Sequence, residues 1–99
     1  LKDKAGKKRL SLHGNSVTLY AKDSAGNKRV GLYGSGAGSI AVYDKAEKMR
    51  ISLLGDNSSV ILYDSAKGDL NPGKKRIVLD APTGKVSFTA PNGKTISHP

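Results

Sequence analysis

Apolar residues alternate with small or hydroxylated ones in short runs, and the runs are spaced evenly from end to end. Leu10-Ser11-Leu12, Val30-Gly31-Leu32, Ile51-Ser52-Leu53 and Ile77-Val78-Leu79 begin the units. Val17-Thr18-Leu19, Ile40-Ala41-Val42, Val60-Ile61-Leu62 and Val86-Ser87-Phe88 return from them. A period of two is the signature of a strand with one apolar face. The runs predict strands at residues 10–12, 17–20, 30–33, 39–43, 50–53, 60–63, 74–79 and 86–88, with residues 94–97 as half of a further copy. Turn segments, most of them containing glycine or asparagine, interrupt the runs every ~8–10 residues, which leaves no room for a helix.

Two kinds of turn separate the strands. One opens on Asp: Asp3-Lys4-Ala5-Gly6, Asp23-Ser24-Ala25-Gly26, Asp44-Lys45-Ala46-Glu47 and Asp64-Ser65-Ala66. Asp accepts hydrogen bonds from the backbone just ahead of it, and Gly supplies a left-handed residue. Glu47 stands where Gly is expected, so that turn is expected to differ in geometry. The other kind is richer in Gly and Asn: His13-Gly14-Asn15-Ser16, the loose segment 34–38, Gly55-Asp56-Asn57 and Asp80-Ala81-Pro82-Thr83-Gly84. Arginines at 9, 29, 50 and 76 set the register, at spacings of 20, 21 and 26, the last lengthened by an insertion at 67–73. The chain is therefore one β-repeat module over 1–99, with units at 1–18, 19–41, 42–61 and 62–87 and a partial unit at 88–99.

Side chains alternate across a strand. Leu10, Leu12, Val17, Leu19, Val30, Leu32, Ile40 and Val42 are expected on one face, with Ile51, Leu53, Val60, Leu62, Ile77, Leu79, Val86 and Phe88 continuing it. Ser11, Thr18, Tyr20, Ala41, Tyr43, Ser52, Tyr63 and Ser87 are expected on the opposite, solvated face. The sequence holds no second sheet and no helix to cover the aliphatic side. That predicts an all-β antiparallel meander whose aliphatic face meets copies of itself. The preferred arrangement is a homotrimer, a triangular prism enclosing Ile, Val and Leu. A dimeric sandwich comes next. A single-chain solenoid or barrel is the other route to closure.

Units of the form Leu-Tyr-Asp-x-Ala-Gly-x-x-Arg-Ile-x-Leu-x-Gly resemble the repeats in shafts of phage tail fibres, tailspikes and related fibrous appendages. The resemblance runs from Leu1 to about Ile96, broken at Glu47 and at 67–73. It implies a trimeric, β-rich shaft segment that holds a receptor-binding tip, in an extracellular or virion setting. Leu1 is not an initiator Met, so the chain is expected to be a fragment or a processed product.

Composition adds a second picture. The 99 residues carry 17 Lys and Arg against 8 Asp and Glu, a net charge of +9. Such a balance favours anionic partners, an anionic glycan or cell surface ahead of nucleic acid. Lys8, Arg9, Lys28, Arg29, Arg50, Lys75 and Arg76 recur at equivalent places and form a candidate polyanion-binding stripe, although the charges read as spread along the repeats rather than clustered. Pairing of each Arg with its own turn's Asp is the structural alternative. Tyr20, Tyr43 and Tyr63 form a candidate aromatic stripe, against the plainer reading of cross-strand packing. Open-ended fibril assembly through strand edges is a third course.

Enzymatic chemistry finds no support. There is no Cys, hence no disulfide, thiol nucleophile or thiolate metal site. His13 and His98 are far apart and lack metal-ligand spacing. Asp56, Asp69 and Asp80 fall in turns, with no cleft to pair two carboxylates. Segment 34–38 is followed by no helix and no Lys-Ser/Thr, so it is not a phosphate loop. No cofactor is expected. No apolar run approaches ~18 residues, so no transmembrane helix is expected.

Overall fold

A computed structural model describes residues 1–15, 17–34, 36–65 and 73–98. The described residues form nine strands: β1 (Leu10–His13), β2 (Thr18–Lys22), β3 (Lys28–Tyr33), β4 (Ser39–Tyr43), β5 (Met49–Leu54), β6 (Ser59–Tyr63), β7 (Lys75–Asp80), β8 (Lys85–Thr89) and β9 (Thr95–His98). Each pairs antiparallel with its neighbour in sequence, so spatial order equals chain order. β1 and β9 are the two edges of an open sheet, not partners. This overturns the single-chain barrel or solenoid. The sheet is a single layer with extents of 48 × 29 × 20 Å. The insertion at 67–73 lies outside the described residues except for Gly73.

Cross-strand register lines the aliphatic residues up in two rows on one face. The first runs Leu10, Ala21, Val30, Val42 and Ile51, then Leu62, Ile77, Phe88 and Ile96. The second runs Leu12, Leu19, Leu32, Ile40 and Leu53, then Val60, Leu79 and Val86. Every aliphatic residue assigned to this face is on it except Val17. Val17 is the exception to the strand assignments: it sits in the β1–β2 turn with φ 48°, one residue short of β2.

The other face departs from expectation. It is the tightly packed side, not the solvated one. Ala41 is 2% exposed and Ser52 3%, and Thr18, Tyr43, Ser59 and Ile61 are also buried. Outward aliphatics are far more open, with Leu12 78% and Ile96 68% exposed. Residue size explains the inversion. The central row of this face reads Ser11, Tyr20, Gly31, Ala41 and Ser52. Its small members let neighbouring rings lie flat across them. Gly31 shows this directly: a Cβ there would fall 2.7–2.9 Å from the Tyr33 ring and hydroxyl. A ring laid over a strand glycine restores the packing that the glycine lacks.

Both long margins of the sheet are tied from unit to unit. On the Gly-rich margin, each turn hydrogen-bonds the previous one: Gly34 N–H to Val17 O at 2.9 Å, Gly55 N–H to Gly38 O at 2.9 Å, Ala81 N–H to Ser58 O at 3.2 Å. Contact is close enough that a Cβ on Gly55 would sit 2.8 Å from the Gly38 carbonyl oxygen. Where the fourth turn has Ala81 instead of Gly, the corresponding bond is the longest of the three.

Candidate functional site

The Asp-turn margin carries the residues with the most elaborate geometry. In each complete turn one carboxylate oxygen accepts two backbone N–H groups ahead of it. Asp3 takes Ala5 and Lys7, Asp23 takes Ala25 and Asn27, and Asp44 takes Ala46 and Lys48, all at 2.9–3.0 Å. Asp64 takes the Lys74 N–H at 2.8 Å, across the insertion. Glu47 does not change the turn. It adopts φ 61°, beside 80° and 90° for Gly6 and Gly26, and its N–H bonds Asp44 O at 3.0 Å as theirs bond Asp3 and Asp23. The expected difference in geometry is therefore absent. Glu47 instead gains a partner that Gly lacks, accepting the Lys28 N–H at 2.8 Å.

The second carboxylate oxygen meets the arginine of the same unit. Arg9 pairs with Asp3 at 3.5 Å, Arg29 with Asp23 at 2.5 Å, Arg50 with Asp44 at 3.5 Å and Arg76 with Asp64 at 2.7 Å. A β-bulge puts three of these arginines in reach. Lys28 and Arg29, Met49 and Arg50, and Lys75 and Arg76 each occupy the place of two residues opposite one. The extra residue leaves the alternation and turns its side chain along the margin.

Each guanidinium then reaches into the next unit. Arg9 donates to Lys22 O at 2.9 Å, Arg29 to Asp44 O at 2.5 Å, Arg50 to Tyr63 O at 3.2 Å and Arg76 to Ala90 O at 2.6 Å. The arginine ladder is thus a set of clasps, Asp to Arg to the following backbone. Lys28, beside it, lies 5.1 Å from the Tyr20 ring centre and 5.2 Å from that of Tyr43, a cation–π position for both. Lys8 and Lys75 point to solvent.

Hydrogen bonding sets the ionisation of the four aspartates. The pKa of Asp3, Asp23, Asp44 and Asp64 is lowered, first by the N–H of Lys7, Asn27, Lys48 and Lys74 respectively, with desolvation opposing and the arginine assisting. A carboxylate with a lower pKa folded than unfolded binds fewer protons in the folded state. Its stabilisation is present above the unfolded value of about 3.9 and is lost as pH falls through the folded values. Urea midpoints are expected to hold steady from pH 7 to about pH 5 and to fall below about pH 4. A variant with Asp23 and Asp44 both changed to Asn should show a shallower fall. A midpoint that rises on acidification would contradict the clasp.

The tyrosines occupy the packed face. Tyr20 meets Tyr33 edge-on at 5.9 Å, and His13 meets Tyr20 edge-on at 5.7 Å. The Tyr33 and Tyr43 hydroxyls bond one another. Burial, then the hydroxyls of Tyr43 and Tyr20, push the Tyr33 pKa strongly upward. Tyr63 stands apart, 3.3 Å from the Ser52 hydroxyl. The structure therefore brings Tyr20 and Tyr43 into one cluster through Tyr33, which the sequence reading left out, and leaves Tyr63 outside it. The Tyr20–Gly31 register was the missing signal, because it opens the gap that the Tyr33 ring fills.

The aliphatic face carries an open groove of about 650 Å³ towards the Gly-rich margin, floored by Leu12, Leu32, Ile40, Leu53 and Val60. Among the described residues no group of His, Asp and Glu gathers to hold a metal, and no helix is long and apolar enough to cross a membrane. His13 and His98 are exposed on different faces. No protein-family model, curated protein or solved structure matches the chain.

Proposed function

We propose that the chain is a structural segment of a fibrous appendage, a shaft whose copies close their aliphatic faces against one another. The observation that carries this reading is the pair of uncovered aliphatic rows. Nine strands at about 4.8 Å and an apolar band about 13 Å deep make a face of roughly 560 Å² in projection. That is at the upper end of what monomers leave uncovered, before side-chain relief is counted. Three copies in a ring bury all such faces with a single repeated contact. The ordered margins suit a load-bearing element, since every unit is held to the next by backbone pairing and an arginine clasp, and the four full units also by turn-to-turn hydrogen bonds. The resemblance to tail-fibre and tailspike shafts supports the same role, holding a receptor-binding tip outside a cell or on a virion.

Electron microscopy of the isolated chain tests the form of assembly. Short rods of uniform length, near the 48 Å long axis, are expected. Filaments of variable length would show that the edges of β1 and β9 join copies instead, as exposed edge strands can.

A further inference from the structure

Folding gathers charge that the sequence spreads out. Among the described residues, fourteen of the sixteen Lys and Arg lie in or beside the four Asp turns, Lys94 lies beside the Ala90–Gly93 turn on the same margin, and only Lys85 belongs to the opposite margin. The hairpin repeat is the reason. Basic residues recur once per unit, and a meander brings every second turn to the same side. The four arginines are cancelled locally by Asp3, Asp23, Asp44 and Asp64. Among the described residues, eleven lysines share this margin, and Glu47 is the one carboxylate there besides those four aspartates. Lys8, Lys45, Lys75 and Lys94 are exposed members, one on each of four turns.

Turns on one margin are two strands apart, about 9.6 Å. Five of them span about 38 Å, within the 48 Å long axis. Neighbouring turns lie about one screening length apart at physiological salt, about 8 Å, so their fields overlap along a line. We propose that this margin binds a linear anionic glycan laid along the sheet's long axis. The lysines of successive turns meet successive sulfates or carboxylates. The spacing is comparable to a disaccharide repeat, which carries its charges at similar intervals. Single-stranded nucleic acid fits less well, because its usual grip adds bases stacked on exposed rings. Here Tyr20, Tyr33 and Tyr43 pack on one another, and Tyr43 is buried. The margin stands beside the aliphatic face rather than on it, so the proposal does not rest on the shaft reading.

Sulfated heparin oligosaccharides of increasing length are the probe, titrated calorimetrically at several salt concentrations. Affinity should rise with length up to about the span of the margin and fall as salt is added. Changing Lys8, Lys45 and Lys75 together to Glu should weaken binding tenfold or more with the circular dichroism unchanged. Lys85→Glu should alter it less than twofold. The proposal fails if no salt-dependent binding is found, if Lys85→Glu costs as much per charge as the triple variant, or if an oligothymidylate of equal charge binds more tightly. It also fails if the triple variant stays folded and binds as well as the parent. The assembly measured on the same samples reports separately on the shaft reading.

Discussion

Tyr43→Ala is expected to destabilise the folded chain by about 3 kcal/mol, the usual cost of truncating a buried aromatic residue. Tyr43 is 8% exposed, shares a hydroxyl bond with Tyr33 and offers its ring face to Lys28. Its loss leaves the Tyr33 hydroxyl short of its partner and takes away the ring beneath Lys28. Against a typical reserve of about 5–15 kcal/mol, that is a large fraction. Tyr43→Phe keeps the ring and gives up only the hydroxyl bond, so about 1 kcal/mol is expected. Urea denaturation at one fixed protein concentration separates the two, because stability in an assembling protein depends on concentration. Equal effects from Ala and Phe would mean that the ring contributes nothing. That would remove the account of the tyrosine face as the packed one.

Leu53→Asp is expected to act in the opposite way, leaving the sheet folded and abolishing assembly. Leu53 stands mid-sheet in the second aliphatic row, between Ile40 and Val60, and is 40% exposed. A single chain hydrates a carboxylate there at little cost. In a closed assembly the same group is desolvated without a partner, which costs several kcal/mol per copy. Circular dichroism should stay that of the parent while the mass falls to 10.4 kDa. Retention of assembly in this variant would place the contact elsewhere on the chain.

These two residues show what was readable in advance. Alternation placed Leu53 and its row on one face, and the register confirms this strand by strand. The repeat, the meander and the Asp turns were legible because each is encoded locally, in a period of two and in turn chemistry. Which face would be dense was not local. It depends on small residues lying beside tyrosine rings, as Gly31 lies under Tyr33, so hydrophobicity alone did not show it. Three of the four arginine clasps sit at the bulges of Arg29, Arg50 and Arg76, which no alternation pattern signals. Glu47 seemed a defect because Gly is the common left-handed residue. It is held there by the Asp44 turn and by its own bond to the Lys28 N–H. The charged margin was hidden for a simpler reason: residues one unit apart in sequence become neighbours only after the meander forms.

The charge and the aliphatic rows fit together in one object. Three sheets that turn their Leu, Ile and Val inward would leave a lysine-lined margin along each corner of the prism. In a cyclic arrangement each basic margin meets the Gly-rich margin of the next copy, so like charges stay apart. On the two proposals together, fibre assembly and glycan binding would be two uses of the same repeat.

Sedimentation equilibrium on the isolated chain tests the central claim most directly, that the uncovered aliphatic face is where copies meet. A mass about three times 10.4 kDa, constant across a tenfold range of concentration, is the expected result. A folded monomer of 10.4 kDa at the highest concentration would contradict it.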